Sequence, residues 1–235
     1  MDLKQVEEAL AHFIRYQTFP VALKLCQSEG ELPEKARMPV RDLGHQVTLC
    51  QAIGLTRRFG WTLAVGRDDQ SCLGGALTMG FVAGSPQSFP FPDEKRLEAG
   101  KYSHLLMAPI GSATFEPDVV VVYGSSAQVM RLSHAAAMGG GLQVSARGTG
   151  LADCGDVVTL TAHSGQCQFI LPSGGDRVFG STQDHEVIFA IPANQGETIA
   201  AGLASTHKMG FRYPVLTDLH HSPALPPFLK IPKDD

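Results

Sequence analysis

The sequence predicts a single α/β or α+β domain, built on a mixed β-sheet that is flanked by helices. Amphipathic helical segments alternate with short apolar segments along the chain, which is typical of these fold classes. Residues 119–123, VVVVY, are continuously apolar, so we expect a strand that is covered on both faces at the centre of the sheet. No internal repeat or linker divides residues 1–235, and their 43% hydrophobic content can fill one core.

Helices and strands alternate through the first half of the chain. Leu3, Val6 and Leu10 recur at helical spacing and predict a first helix that ends near Thr18, ahead of Pro20. The further predicted strands cover residues 21–25, 62–65, 104–108 and 118–123, and the further predicted helices cover residues 45–59, 73–83 and 93–99. Because three glycines weaken the helix over residues 73–83, an irregular loop is the alternative there. The prolines of residues 85–92 exclude a long regular element there and predict a surface loop or a lid.

The second half continues the alternation and ends in a proline-rich tail. Ser125 or Ser126 is expected to cap a helix that runs to about residue 137. Asn194, with Glu197 three residues later, predicts the cap of a last helix that ends near Lys208. The predicted strands cover residues 142–146, 157–160, 167–171 and 186–191. The tail, residues 214–235, is expected to be extended and to lie over the body or to reach a second subunit of a homo-oligomer.

Composition and charge exclude several classes of function. A formal net charge of -4 and a pI near 6.1 provide no basic field of the kind that nucleic-acid binding needs. No apolar run is long enough to span a bilayer, so we expect no membrane segment. Residues 1–16 lack the basic start and the apolar core of a signal peptide. We therefore expect a cytoplasmic protein that binds neither nucleic acid nor membrane.

Three of the five cysteines lie at positions that indicate chemistry. Cys50 falls in the helix predicted over residues 45–59, Cys72 directly precedes Leu-Gly-Gly, and Cys154 lies in the small-residue segment ADCGD. Cytoplasmic thiols are kept reduced, so such cysteines point to metal binding or catalysis rather than to disulfides. Thiolates are soft ligands that suit iron–sulfur centres, and we hypothesise that these three bind one cluster, for example a 4Fe-4S cluster. The spacing matches neither a zinc-ribbon nor a ferredoxin signature, and zinc, or no metal, is the alternative.

The other two cysteines and the histidines carry less information. Cys26 and Cys167 stand among apolar residues and are expected to pack as small hydrophobic side chains. His45 precedes Cys50 by five positions, and a five-residue gap aligns two helical side chains only loosely. His45 is therefore a weak candidate for a fourth ligand.

A second candidate constellation is the segment PSGGDR, residues 172–177. Its two glycines allow a tight turn, with Asp176 and Arg177 at the tip. Arg177 offers a planar fork of donors that suits a carboxylate or a phosphate, so these two residues are candidates for handling a small anionic substrate. The alternative is an ordinary β-turn, in which Asp176 and Arg177 pair with each other or with solvent.

Several segments together carry a family resemblance. They are CQA (residues 50–52), CLGG (72–75), PDVVVVY (117–123), AQVMRL (127–132), DCG (153–155), GGDR (174–177) and residues 186–192. In this order, over about residues 20–213, they resemble the ArCR family. That family groups uncharacterised archaeal and bacterial proteins as domain of unknown function one hundred and sixty-nine, and its name implies no activity.

The resemblance implies cysteines at the positions of Cys50, Cys72 and Cys154, and in some members a fourth at the position of Ser173. Three thiolates on a cubane cluster leave one iron open. An open iron favours Lewis-acid chemistry, of a lyase or desulfidase type, on a small anionic substrate. Electron transfer to a redox partner is then less favoured. One alternative is a non-enzymatic metal or redox sensor or an accessory protein. A second alternative is an enzyme that uses Cys72 or Cys154 as a nucleophile, which would need a histidine within hydrogen-bonding reach.

Overall fold

The fold is described by a computed structural model, which covers residues 1–84, 95–215 and 230. The strands are β1 (Val21–Cys26), β2 (Leu63–Gly66), β3 (His104–Pro109), β4 (Val119–Ser125), β5 (Val144–Ser145), β6 (Cys167–Ile170) and β7 (Glu186–Pro192). The helices are α1 (Leu3–Phe13), α2 (Leu49–Phe59), α3 (Leu73–Thr78), α4 (Ser126–His134), α5 (Asp153–Ser164), α6 (Gly174–Phe179) and α7 (Gly196–Lys208).

The strands form one mixed sheet in the order β2-β3-β1-β4-β7-β6-β5. All neighbouring strands are antiparallel except β5 and β6, which are parallel. The expected α/β fold with a mixed sheet is thereby confirmed, and β4 occupies the middle of the sheet as its apolar sequence predicted. Among the described residues, no helix combines the length and the apolar character that a bilayer-spanning helix needs.

Alternate side chains of β4 enter two separate cores. Val121 and Tyr123 pack with α2, α3 and α5 on one side of the sheet, which we call the thiol face. Val120 and Val122 pack with α1, α4 and α7 on the other side, which we call the opposite face. A strand with a residue period of two can fill both cores only if every position is apolar, which explains the run VVVVY.

The largest correction concerns residues 157–160, for which the apolar run predicted a strand. These residues lie inside α5, and every residue from Asp153 to Thr161 is buried. A helix that is covered on all sides shows no amphipathic period, so its apolar run cannot be told from a buried strand by periodicity. The turn predicted at Asp176 and Arg177 is likewise wrong, because both residues belong to the short helix α6.

Several helix ends also differ from prediction. The helix predicted from residue 45 begins at Leu49, because Thr48 is its N-cap and accepts a hydrogen bond from the Gln51 amide (3.0 Å). The first helix ends at Phe13 rather than near Thr18, since Arg15 adopts a left-handed backbone conformation (φ 52°).

The cap predicted at Asn194 is wrong. Residues 193–195 form a 3-10 turn, and Glu197 instead accepts a hydrogen bond from the Asp2 amide (2.7 Å). The predicted end of this helix at Lys208 is confirmed.

The helix predicted over residues 73–83 ends at Thr78, ahead of Gly80, which has a φ of 69°. Residues 96–99, the described end of the helix predicted over residues 93–99, are not helical. The loop or lid predicted over residues 85–92 lies outside the described residues, and so does nearly all of the tail over residues 214–235.

Candidate functional site

Two of the three candidate cysteines meet in the first turns of α2 and α5. Cys50 and Cys154 are each the second residue of their helix, and both are buried. The Cys50 thiol lies within hydrogen-bonding reach of Cys154. It raises the pKa of Cys154 well above its usual value, and it contributes more to this shift than burial does. Both cysteines are free thiols.

Cys72 lies at the start of a neighbouring helix. It is the N-cap of α3 and is half-buried. The Ser71 amide donates to the Val47 carbonyl (3.0 Å), so the chain segments that lead into α2 and α3 run side by side. α3 also packs on α5, where a Cβ at Gly155 would collide with the Thr78 side chain, which explains the glycine after Cys154.

The three cysteines are thus carried by three adjoining helix starts. Within residues 1–84, 95–215 and 230, however, no three side chains of the types His, Cys, Asp and Glu are arranged as a group that could hold a metal ion.

Ser173, the position at which the family resemblance implies a further cysteine, borders the same site. It is the N-cap of α6: its hydroxyl accepts from the Asp176 amide (3.1 Å), and its own amide donates to Asp153 Oδ1 (3.0 Å). At Gly175, a Cβ would lie 4.0 Å from Cys50 Sγ and 3.5 Å from Ser173 Oγ. Gly175 of PSGGDR therefore lies beside Cys50.

Two buried carboxyl groups lie beside the thiols. Asp153 and Asp176 are both fully buried, and each carboxyl group influences the pKa of the other. Burial raises the pKa of both carboxyl groups, and the neighbouring Asp176 further raises the pKa of Asp153, to about 7. The site can therefore hold a proton on Asp153 near neutral pH. We call Cys50, Cys72, Cys154, Ser173, Asp153 and Asp176 together the thiol site.

A buried arginine connects the thiol site to the sheet. Arg57 is fully buried, lies 4.1 Å above the Tyr123 ring, and donates to Glu186 Oε1 (2.8 Å) and Thr182 Oγ1 (2.9 Å). The Thr182 hydroxyl in turn donates to Asp176 Oδ2 (2.8 Å). Burial acts to raise the pKa of Glu186, but the hydrogen bonds from Arg57 and Gln183 outweigh it, and the pKa of Glu186 lies below its usual value.

Arg57 was not predicted as a site residue, although its spacing from Cys50 placed it on the buried face of the same helix. Residue 57 follows Cys50 by seven positions, which places both residues on the same face of a helix. A charged residue on the buried face of a helix requires a buried partner, which here is Glu186. Nothing in the sequence indicated which carboxylate that would be.

The structure separates the two residues that were expected at the tip of PSGGDR. Asp176 points into the thiol site, whereas Arg177 donates to the Gln183 carbonyl (2.7 Å) and lies 3.8 Å from Asp184. The two side chains therefore do not pair with each other. His45 is exposed, and its Nδ1 lies 3.0 Å from the Leu43 carbonyl oxygen.

Cys26 and Cys167 pack in apolar clusters elsewhere, as expected. Cys26 lies in a small cluster with Ala36 and Leu106, and Cys167 lies in the core of the opposite face. Burial raises the pKa of Cys26 to about 11 and that of Cys167 to about 12. Neither thiol touches the thiol site, so both residues are suitable controls for experiments on it.

The thiol site combines soft donors with helix starts. The free amides and the positive dipole ends of α2 and α5 favour negative charge beside Cys50 and Cys154, as thiolates bound to a metal would carry. A free nucleophilic thiolate at Cys154 is disfavoured, because the raised pKa keeps that thiol protonated at neutral pH.

Comparisons with known proteins identify a family but no activity. No curated protein and no solved structure matches the chain. A family model matches residues 9–202, which include Cys50, Cys72, Cys154 and Ser173. The chain therefore belongs to the family described as uncharacterised ArCR.

Proposed function

We propose that this protein binds an iron–sulfur cluster through Cys50, Cys72 and Cys154. The observation that carries the proposal is that Cys50 and Cys154, which are far apart in the sequence, lie in the first turns of α2 and α5 within one buried cluster. Cys72 would complete the ligand set from the start of α3. Because the described side chains do not form a ready three-ligand group, the proposal requires Cys72 to turn toward the pair when the cluster binds.

The residues around the two thiols fit such a group. Their sulfur atoms are soft donors, and Gly175 places no side chain beside Cys50 Sγ. Asp153 and Asp176 are buried beside the thiols, and a proton held by one carboxyl group can be shared with the other. A cubane cluster on three thiolates would supply Lewis-acid chemistry at its open iron.

We further propose that the site acts as an enzyme, of a lyase or desulfidase type, on a small anionic substrate. Asp153 is placed to give or take a proton, since its pKa of about 7 lies near neutral pH. The Ser173 amide orients the Asp153 carboxyl group, and the hydroxyl of Thr182 orients Asp176. The helix starts at Cys50 and Cys154 act in favour of an anion, whereas ionised Asp153 and Asp176 act against one, so an anionic substrate is best bound when Asp153 is protonated.

The ligand set can be tested by single substitutions in protein purified without oxygen. We expect Cys50→Ser, Cys72→Ser and Cys154→Ser each to abolish or strongly reduce the visible absorbance of the cluster, because each removes one thiolate. The matched control is Cys167→Ser, which removes a buried thiol on the opposite face; a serine hydroxyl can replace its contact with Gln195 Oε1 (3.4 Å). Retention of full absorbance in any of the three site variants would remove that cysteine from the ligand set.

Thiol alkylation gives a second test, on protein from which metal has been removed. We expect Cys72 to react first at neutral pH, because it is half-buried while the other four cysteines are buried. Mass spectrometry after a short exposure to iodoacetamide should find the label at Cys72, and the variant Cys72→Ser should remain unlabelled. Cluster binding should protect Cys72. Faster labelling of Cys50 or Cys154 than of Cys72 would contradict this description of the site.

A further inference from the structure

A basic cavity of about 510 Å³ lies on the opposite face of the sheet from the thiol site. It is formed between α4, the end of α7 with residues 210–215, and Arg15 after α1, and its volume is in the range of small-molecule sites. Four basic side chains contribute to its lining: Arg15, Arg131, His207 and Arg212. We call it the arginine cavity.

Arg131 is the central residue of the arginine cavity. It is 1% exposed, and no carboxylate of the described chain forms an ion pair with it. Its Nη1 and Nη2 each donate to Thr206 Oγ1 (3.2 Å), while its Nε has no hydrogen-bond partner. A buried charge without a counter-charge is strongly unfavourable, so an anion bound beside Arg131 would stabilise this arrangement.

The helix next to Arg131 compensates only part of its charge. Arg131 Nη2 lies 3.5 Å from the Leu203 carbonyl oxygen in α7, and the carboxyl-terminal end of a helix carries about half a negative charge. Arg15 and Arg212 add further positive charge, and neither has a partner carboxylate within the described residues. Burial, followed by the charges of Arg212 and Arg131, lowers the pKa of His207, as expected for a site with excess positive charge.

The backbone of Arg15, at the rim of the cavity, is held in one conformation by a buried side chain. Arg15 has a φ of 52°, which is uncommon for a residue with a side chain. Gln128 Nε2 holds this conformation by donating to the carbonyls of Ile14 (2.9 Å) and Arg15 (3.1 Å). Arg15 therefore ends α1 in a left-handed conformation that a buried side chain holds in place.

We propose that the arginine cavity binds the phosphate group of a small molecule. Guanidinium groups bind phosphate through paired hydrogen bonds, and several of them together suit a phosphate dianion better than a single carboxylate. Met130, Phe211 and Tyr213 provide an apolar wall for the rest of the ligand. The proposal does not depend on the cluster, because the two sites lie on different faces of the sheet.

Calorimetric titration of the full chain with inorganic phosphate, pyrophosphate and adenosine monophosphate tests this proposal. We expect saturable binding of at least one of them at millimolar concentration or below, and a ligand-dependent rise in Tm at constant ionic strength. Tighter binding of adenosine monophosphate than of the inorganic probes would identify an organic phosphate as the ligand class; the reverse order would identify inorganic phosphate or pyrophosphate. Absence of saturable binding for all three probes would overturn the proposal.

Variants of the exposed arginines link the binding to this cavity. We expect Arg15→Gln and Arg212→Gln each to weaken binding about ten-fold, which corresponds to about 1.4 kcal/mol. Lys208→Gln, the matched control, removes an exposed charge from α7 that does not line the cavity, and it should bind as the wild type does. Unchanged affinity in both arginine variants would contradict the assignment of the site.

Arg131→Met separates a ligand-binding arginine from a structural one. Without ligand, we expect this variant to have a Tm equal to or above that of the wild type, because it removes an unpaired buried charge and keeps an apolar side chain of similar length. The ligand-dependent rise in Tm should disappear. A Tm well below that of the wild type, with the ligand-dependent rise retained, would show that Arg131 is structural and would overturn the proposal.

Discussion

Replacement of Arg57 by methionine is expected to lower the free energy of unfolding by about 3–5 kcal/mol, because it leaves Glu186 as a buried carboxylate without its main partner. Arg57 Nη1 lies 2.8 Å from Glu186 Oε1, and both side chains are buried. The same guanidinium binds Thr182, which holds Asp176 in the thiol site. Denaturant unfolding of the metal-free protein measures the loss directly.

Two companion variants show whether the buried pair causes this loss. Arg58→Met removes a neighbouring, partly exposed arginine whose Nη2 lies 3.4 Å from Glu186 Oε2, and it should cost no more than about 1 kcal/mol. The double variant Arg57→Met, Glu186→Gln should regain part of the loss, because no unpaired charge then remains buried. A single variant Arg57→Met within about 1 kcal/mol of the wild type would contradict this account of the pair.

The pH dependence of the Arg57 variant has a defined sign. The pKa of Glu186 is lowered in the fold, so its contribution to stability is fully present above the unfolded pKa and is lost as the pH falls through the lowered folded pKa. The difference in unfolding free energy between the wild type and Arg57→Met should therefore be largest at neutral pH and should shrink in acid. A difference that grows in acid would exclude Glu186 as the cause.

Replacement of Lys95 by methionine is the second change with a large expected effect, again about 3–5 kcal/mol of unfolding free energy. Lys95 Nζ lies 2.8 Å from Asp156 Oδ2, and the two side chains are 4% and 0% exposed. Because Asp156 belongs to the first two turns of α5, the pair also supports the helix start that carries Cys154. Denaturant unfolding of the metal-free variant, beside that of the wild type, measures the loss.

The controls for Lys95 follow the same design. Lys101→Met removes an exposed lysine that lies 3.9 Å from Glu98, and it should change the free energy of unfolding by less than about 1 kcal/mol. Lys95→Met combined with Asp156→Asn should recover much of the loss. If Lys95→Met were no more harmful than Lys101→Met, the ion pair would not stabilise the start of α5.

The sheet could be predicted from the sequence largely because its strands are short, apolar and bounded by loops. The run VVVVY favoured a central strand because it is β-branched as well as apolar, and β1, β6 and β7 were predicted to within one or two residues. α5 could not be recognised, because burial on all sides removes the amphipathic period by which a helix is identified. Helix starts were displaced where a single cap such as Thr48 decides the boundary.

The candidate site was predictable in part. The sequence context of Cys50 and Cys154 made both thiols candidates for a chemical role, and the structure places them in one buried cluster. The buried carboxyl group of Asp153 and the partners of Arg57 could not be predicted, since they depend on contacts between segments that are distant in the chain. The arginine cavity was missed for the same reason: Arg15, Arg131 and Arg212 are separate residues in the sequence and meet only in the fold.

Iron and sulfide analysis of the wild-type protein, expressed and purified without oxygen, tests the central claim most directly. The proposed ligand set predicts about four iron and four sulfide per chain if the cluster is of the 4Fe-4S type, with brown colour and a loss of both elements in Cys154→Ser. A colourless wild-type protein that contains zinc or no metal, with the same iron and sulfide contents as Cys154→Ser, would contradict the proposed ligand set.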